Sequence, residues 1–154
     1  MLFTRRVEIL SSRTKKLEST KKFSSYIGKN VYSKSGELVG KVYDVIMKND
    51  NMVGVIYKGA SRVFIGKEFF KSDTDDAIML KIEPVTGLIG KHVYDSTGKI
   101  IGKVVELKRK STANSFDELR VKKAFYSMSV HIPKKFIAVA KKNIILSKPW
   151  EEKK

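Results

Sequence analysis

Apolar and polar residues interleave through "ELVGKVYDVIMK" (37–48), the pattern of a long β-strand with one buried face. Ahead of it "NVY" (30–32) reads as a short strand, and "SKSG" (33–36) as the turn between them, with Gly36 free to take a positive φ. Asn49, Asp50 and Asn51 mark a second turn, after which "MVGVIYK" (52–58), "RVFI" (62–65) and "AIMLKI" (77–82) have strand character. The expectation is a set of about five strands. Between 26 and 148 only "KKFIAVAKK" (134–142) has a helical spacing, so the predicted class is all-β.

The pattern is written twice. At an offset of 62, Ile27, Gly28, Lys29, Val31, Tyr32, Gly36, Gly40, Lys41 and Val42 match Ile89, Gly90, Lys91, Val93, Tyr94, Gly98, Gly102, Lys103 and Val104. Nine identities in sixteen positions mark an internal duplication. The match resumes at an offset of 67, where "VFIGKEF" (63–69) faces "VHIPKKF" (130–136), and the five extra residues are placed in the polar stretch "STANSFD" (111–117). Each copy ends on an apolar run, "AIMLKI" (77–82) and "NIILSK" (143–148). The chain divides into a basic tail (1–25), a first copy (26–86), a second copy (87–148) and a short C-terminal tail (149–154). Gly40 and Gly102 fall inside the long strands, where glycine marks a bulge or the bend by which a small sheet closes into a barrel.

Composition narrows the class of protein. With 154 residues and 42% apolar content the chain can bury a core, and the absence of cysteine excludes disulfides, thiol catalysis and thiolate metal sites. No apolar run approaches the roughly 20 residues of a membrane span, and the arginines of "MLFTRRVEIL" interrupt what a secretory signal would keep apolar. A cytoplasmic protein is expected. The net charge of +16 is uneven: +5 over 1–25, +1 over 26–86 and +10 over 87–154. Such a field attracts nucleic acid, anionic lipid or an acidic protein without choosing among them.

Hydrophobic-Gly-Lys-x-Val-Tyr, a glycine turn, then [Val/Ile]-Gly-Lys-Val-x-[Asp/Glu] resembles the PRC-barrel, the small β-barrel of the photosynthetic reaction centre H subunit and of the ribosome maturation factor RimM. Gly28, Val31, Gly36, Gly40, Val42 and Asp44 carry the resemblance in one copy, and Gly90, Val93, Gly98, Gly102, Val104 and Glu106 in the other. It implies two tandem β-barrels over most of the chain. It also looks like the stand-alone archaeal members, which implies an adaptor role, with cell division beside SepF-type anchors as one setting. The RimM likeness implies the alternative, an RNA-binding or ribosome-assembly factor.

Chemistry is sought and not found. "GELVGKV" and "GKIIGKV" hint at a phosphate loop, but three residues separate the glycines where four are required, and Val42 and Val104 stand where Ser or Thr would bind magnesium. His92 and His131 face Asn30 and Phe64 in the repeat alignment and have no second ligand or nucleophile nearby. Asp73, Asp75 and Asp76 form one acidic cluster, read as a solvated turn because it lacks the glycine and terminal glutamate of a calcium loop. Asp44 and Glu106, aligned with one another, are expected in apolar surroundings and are read as acceptors for a turn or partners for a lysine. No catalytic residue, cofactor or metal is expected, and the protein reads as non-enzymatic.

Binding is left to the surfaces. "RVKKAFYSMSVHIPKKF" (120–136) alone interleaves aromatic and basic residues, so Arg120, Lys122, Lys123, Lys134 and Lys135 are candidate contacts for RNA or another anionic partner. Phe3, Val7, Leu10 and Leu17 recur at helical spacing among basic residues, so the tail is an amphipathic helix for a membrane or partner, or, as its Ser, Thr and Lys content favours, mostly disordered. Trp150, the only tryptophan, either covers the edge of the second barrel or anchors a partner. A protein partner is the first expectation and RNA the second. Peripheral membrane contact through the tail and a homodimer through open strand edges are further possibilities.

Overall fold

A computed structural model describes Leu10 and residues 21–151. The expectations for the basic tail (1–25) therefore lie mostly outside the described residues. The first copy runs β1 (Asn30–Tyr32), β2 (Leu38–Lys48), β3 (Asn51–Lys58), β4 (Arg62–Gly66), β5 (Phe70–Asp73) and β6 (Ala77–Leu80). The second runs β7 (His92–Tyr94), β8 (Ile100–Lys108), β9 (Glu118–Lys122), β10 (Val130–Pro133), β11 (Ile137–Ala140) and β12 (Ile144–Leu146). The strand orders are β4-β3-β2-β1-β6-β5 and β10-β9-β8-β7-β12-β11, the same topology twice. In each, the first and last strands pair in parallel, Val31 beside Ile78 and Val93 beside Ile144. The two edges of each sheet are consecutive in the chain and joined by a single 3-10 turn, Lys67–Phe69 or Lys134–Phe136, so the sheet curls around one core.

Alternation fills those cores. Val31, Val42, Val55, Tyr57, Ile65, Ile78 and Leu80 point into the first, and Val93, Val104, Leu119, Val121, Ile132, Ile144 and Leu146 occupy the matching places in the second. The long strand crosses the barrel with a register slip at Val39, and another at Ile101, each next to the glycine expected to mark it. A Cβ on Gly40 would lie 2.6 Å from the Lys58 carbonyl oxygen, and one on Gly102 2.4 Å from that of Lys122. Gly102 also holds φ at +153°, a backbone that side chains oppose.

Three expectations are corrected. Each copy has six strands, because β5 and β11 are four-residue edge strands too short to announce themselves by alternation. "KKFIAVAKK" is not helical. Lys134–Phe136 is the 3-10 turn and Ile137–Ala140 is β11, whose pairing with β12 overrides the local spacing. The extra residues of the second copy are also not all in 111–117. Val121 is the structural match of Tyr57, an offset of 64, while Val130 matches Val63, an offset of 67. Two therefore lengthen the connection from β8 to β9, and three lengthen the tip of the β9–β10 hairpin.

Candidate interaction surfaces

Each barrel fastens the end of its last strand to the turn after its first, with opposite polarity. In the first barrel the carboxylate comes after the last strand: Glu83 accepts from the Ser35 backbone N–H and from the Ser33 and Ser35 hydroxyls. Burial pushes Glu83 up, but these hydrogen bonds and the charge of Lys91 outweigh it and hold the group below the usual carboxylate range. In the second barrel the carboxylate is on the turn. Buried Asp95 accepts from the Thr97 hydroxyl at 2.7 Å, the Thr97 and Lys99 backbone N–H groups at 2.9 and 3.0 Å, and the Trp150 backbone N–H at 3.1 Å. Led by the Thr97 hydroxyl, these donors bring Asp95 down to about 2.

The short linker is pinned from both sides. Asn114, in the lengthened β8–β9 connection, donates from Nδ2 to the Glu83 carbonyl at 2.9 Å and accepts from the Val85 N–H at 2.8 Å. Thr86 hydrogen-bonds to the hydroxyl of Tyr57, a core residue of the first barrel. Between the barrels lies a cleft of about 570 Å³. Leu38, Val39, Val63 and Ala140 supply apolar walls, and Lys91, Lys141 and Lys142 a basic side. Leu38 is 53% exposed there.

A second charged cluster belongs to the first barrel alone. Asp73 accepts from Lys29 Nζ at 2.7 Å and the Tyr26 hydroxyl at 2.6 Å, with Lys21 at 3.3 Å, and the Lys29 side chain is only 4% exposed. Burial pushes Asp73 up, yet Lys29 and Tyr26 hold it below its ordinary value. Burial, followed by the hydrogen bond to Asp73, raises Tyr26 to about 12. So Asp73 is an ion-pair partner, while Asp75 and Asp76 remain on the exposed turn.

Sequence-predicted candidates fall as follows. Gly28, Gly36, Gly90 and Gly98 all take positive φ at the turns around β1 and β7. Asp44 and Glu106 are exposed, not set in apolar surroundings, because the register slips at Tyr43 and Val105 turn them outward. Asp44 accepts from the Val45 N–H, and Glu106 pairs with Arg120 at 2.5 Å, an arginine where lysine was expected. The basic candidates of 120–136 are divided. Arg120 is engaged by Glu106 and Ser129, Lys122 and Lys123 stand at the tip end of the β9–β10 hairpin, and Lys134 and Lys135 stand at its other end, over the rings of Phe116 and Phe136. Trp150 packs against the second core. His131 meets Glu118 at 2.7 Å. His92 and its counterpart Asn30 each bury one side-chain atom, Nδ1 and Oδ1, that has no hydrogen-bond partner among the described residues.

One surface escaped the sequence reading. Phe125, Tyr126 and Met128, at the tip of the β9–β10 hairpin, are 90%, 82% and 91% exposed. The matching tip in the first barrel is Gly59-Ala60-Ser61. The signal was the three-residue lengthening, hidden by placing all five extra residues elsewhere. Among the described residues no helix is long and apolar enough to cross a membrane.

Two curled six-stranded sheets of one topology, repeated head to tail across a pinned linker, define a tandem all-β barrel protein. The model of the PRC-barrel domain matches residues 18–84 and again 80–153, and the chain belongs to the PRC-barrel family. No curated protein matches it.

Proposed function

We propose that this tandem PRC-barrel protein is a non-enzymatic adaptor that seats an extended segment of a protein partner in the cleft between its barrels. The cleft carries this reading. Its walls come from both copies, and Asn114, Glu83 and Thr86 fix their spacing, so a partner meets one preformed surface. The apolar floor at Leu38 and Val39 and the exposed Lys141 and Lys142 favour a segment with apolar and acidic side chains. Cell division is the setting we propose, on the family resemblance alone. The ribosome-assembly alternative asks for a continuous basic stripe, and the separation of Lys122 and Lys123 from Lys134 and Lys135 counts against it.

The test replaces Leu38 with a photo-crosslinking residue in native cells and compares the captured proteins with those retained by the Leu38→Asp and Lys141→Glu/Lys142→Glu variants. One protein crosslinked at Leu38 and lost from both variants is the expected outcome. Capture of ribosomal proteins and rRNA, undiminished in both, would give the alternative reading first place. Asn114→Ala, which removes the clamp on the linker at a cost of about 1–2 kcal/mol, is expected to weaken capture without unfolding either barrel.

A further inference from the structure

The hairpin tip of the second barrel is built unlike any other turn among the described residues. Three large apolar side chains stand almost wholly in water on one six-residue turn, Ala124–Ser129, and Phe125 and Tyr126 touch edge to face at 5.4 Å. Among the described residues they line neither the cleft between the barrels nor its neighbour and pack on neither core. Yet the turn beneath them is closed on itself: Ser127 donates from its backbone N–H to the Ala124 carbonyl at 3.0 Å, and its hydroxyl bridges the Ala124 N–H and carbonyl at 2.9 and 2.7 Å. Arg120, whose Nη1 pairs with Glu106, donates from Nε to the Ser129 hydroxyl at 3.1 Å at the root. With the Ala124 N–H and carbonyl and the Ser127 N–H paired inside the turn, the tip loses less on leaving water than an open loop would.

Below the apolar tip comes a layer of positive charge. Lys122 lies directly across the strand pair from Lys103, and Lys123 follows it. Like charges face to face cost stability unless an anion sits between them. The first barrel has the same pair, Lys41 across from Lys58, under a tip of glycine, alanine and serine, so it supplies an internal control. Apolar and aromatic groups outermost with lysines one layer behind match the layering of a bilayer interface, where acyl chains lie beneath anionic headgroups. The half that carries the tip has a net charge of +10.

We propose that the Phe125-Tyr126-Met128 tip is a membrane-inserting element that docks the second barrel onto an anionic lipid surface, with Lys103, Lys122 and Lys123 at the headgroup phosphates. The tip lies outside the cleft, and the proposal does not rest on the adaptor reading.

Because the chain has no cysteine, one environment-sensitive dye can be placed at will. Full-length protein labelled through Phe125→Cys, or through Ala60→Cys at the control tip, is mixed with phosphatidylcholine vesicles with and without phosphatidylglycerol and with spin-labelled lipid as quencher. The expected result is a blue shift and quenching at position 125 alone, requiring the anionic lipid. Phe125→Ser/Met128→Ser should lower vesicle partitioning about tenfold or more, with an unchanged melting curve, since these side chains bury almost nothing. Lys122→Glu/Lys123→Glu should abolish the preference for anionic lipid. Vesicle binding that leaves position 125 unquenched, binding equal in the serine variant, or a dye response to RNA oligonucleotides and not to vesicles would each overturn the proposal.

Discussion

At the position of Asp73 in the first barrel, where Tyr26 and Lys29 converge, the second barrel has Ala140, with Leu88 and half-buried Lys91, which donates to the Lys141 carbonyl, in place of the tyrosine and buried lysine. At the opposite end the inequality reverses, and the second barrel concentrates its polar bonds on buried Asp95. One backbone thus tolerates two placements of its buried charge. The core positions are shared because alternation dictates them. The polar positions are not shared, because a hydrogen-bond network needs only to be complete, wherever it sits.

The largest expected effect tests what the barrels have in common. Gly102→Val meets both a carbonyl and a left-handed backbone, whereas Gly40→Val meets the carbonyl alone. Both should lose several kcal/mol, roughly 3 or more, with Gly102→Val the worse. Trp150 fluorescence follows the second barrel and circular dichroism follows both, so each loss can be assigned. Equal, mild effects would show that the bulge does not need glycine.

Next comes the charge cluster. Asp73→Ala strands buried Lys29 and should cost about 3 kcal/mol in urea denaturation. Lys91→Met, at the half-buried counterpart whose ammonium meets the Lys141 carbonyl, should cost less, about 1 kcal/mol. Comparable values at the two sites would erase the distinction between the barrels.

Acid reaches lowered carboxylates in both barrels, Asp73 and Glu83 in the first and Asp95 in the second, so it is the alkaline response that should separate them. Asp95 is lowered from 3.8 to about 2, so its contribution is intact above pH 3.8 and lost as pH falls through about 2. Tyr26 is raised from 10 to about 12, so the stability it adds is intact below pH 10 and lost as pH rises through about 12. Acid titration should therefore shift Trp150 emission, and Asp95→Asn should weaken that dependence. Alkaline titration should first increase hydrogen exchange in β1 and β5. The smallest effect belongs to the surface pair: Glu106→Gln should alter stability by about 0.5 kcal/mol or less, and increasingly little as salt rises.

The duplication, the barrel class and the glycines at turns and bulges were legible in the sequence, since each follows from spacing that any barrel of this kind repeats. β5 and β11 were not, because four residues of edge strand give no period to detect. Nor were the bonds by which Glu83 reaches Ser35, Asp95 reaches Trp150, and Asn114 reaches Glu83 and Val85, across 29 to 55 residues of chain. The hairpin tip was half visible. Its aromatic and basic composition singles out 120–136, but composition alone does not show that the chain turns at Ala124–Ser129 and lifts Phe125, Tyr126 and Met128 off the strand faces.

The parallel pairing of first and last strands bears on how the chain is made. β1 emerges early and gains its second neighbour only when Ala77–Leu80 has been synthesised, so one flank of it waits through most of the first copy. β12 is a near-duplicate of β6 and needs a neighbour that is a near-duplicate of β1. A chain released all at once from denaturant offers β12 two docks, and strand exchange between copies becomes a competing trap. Translation from the N-terminus removes the choice, because β6 occupies β1 before β12 exists. Order of arrival, not affinity, then decides which strand closes which barrel.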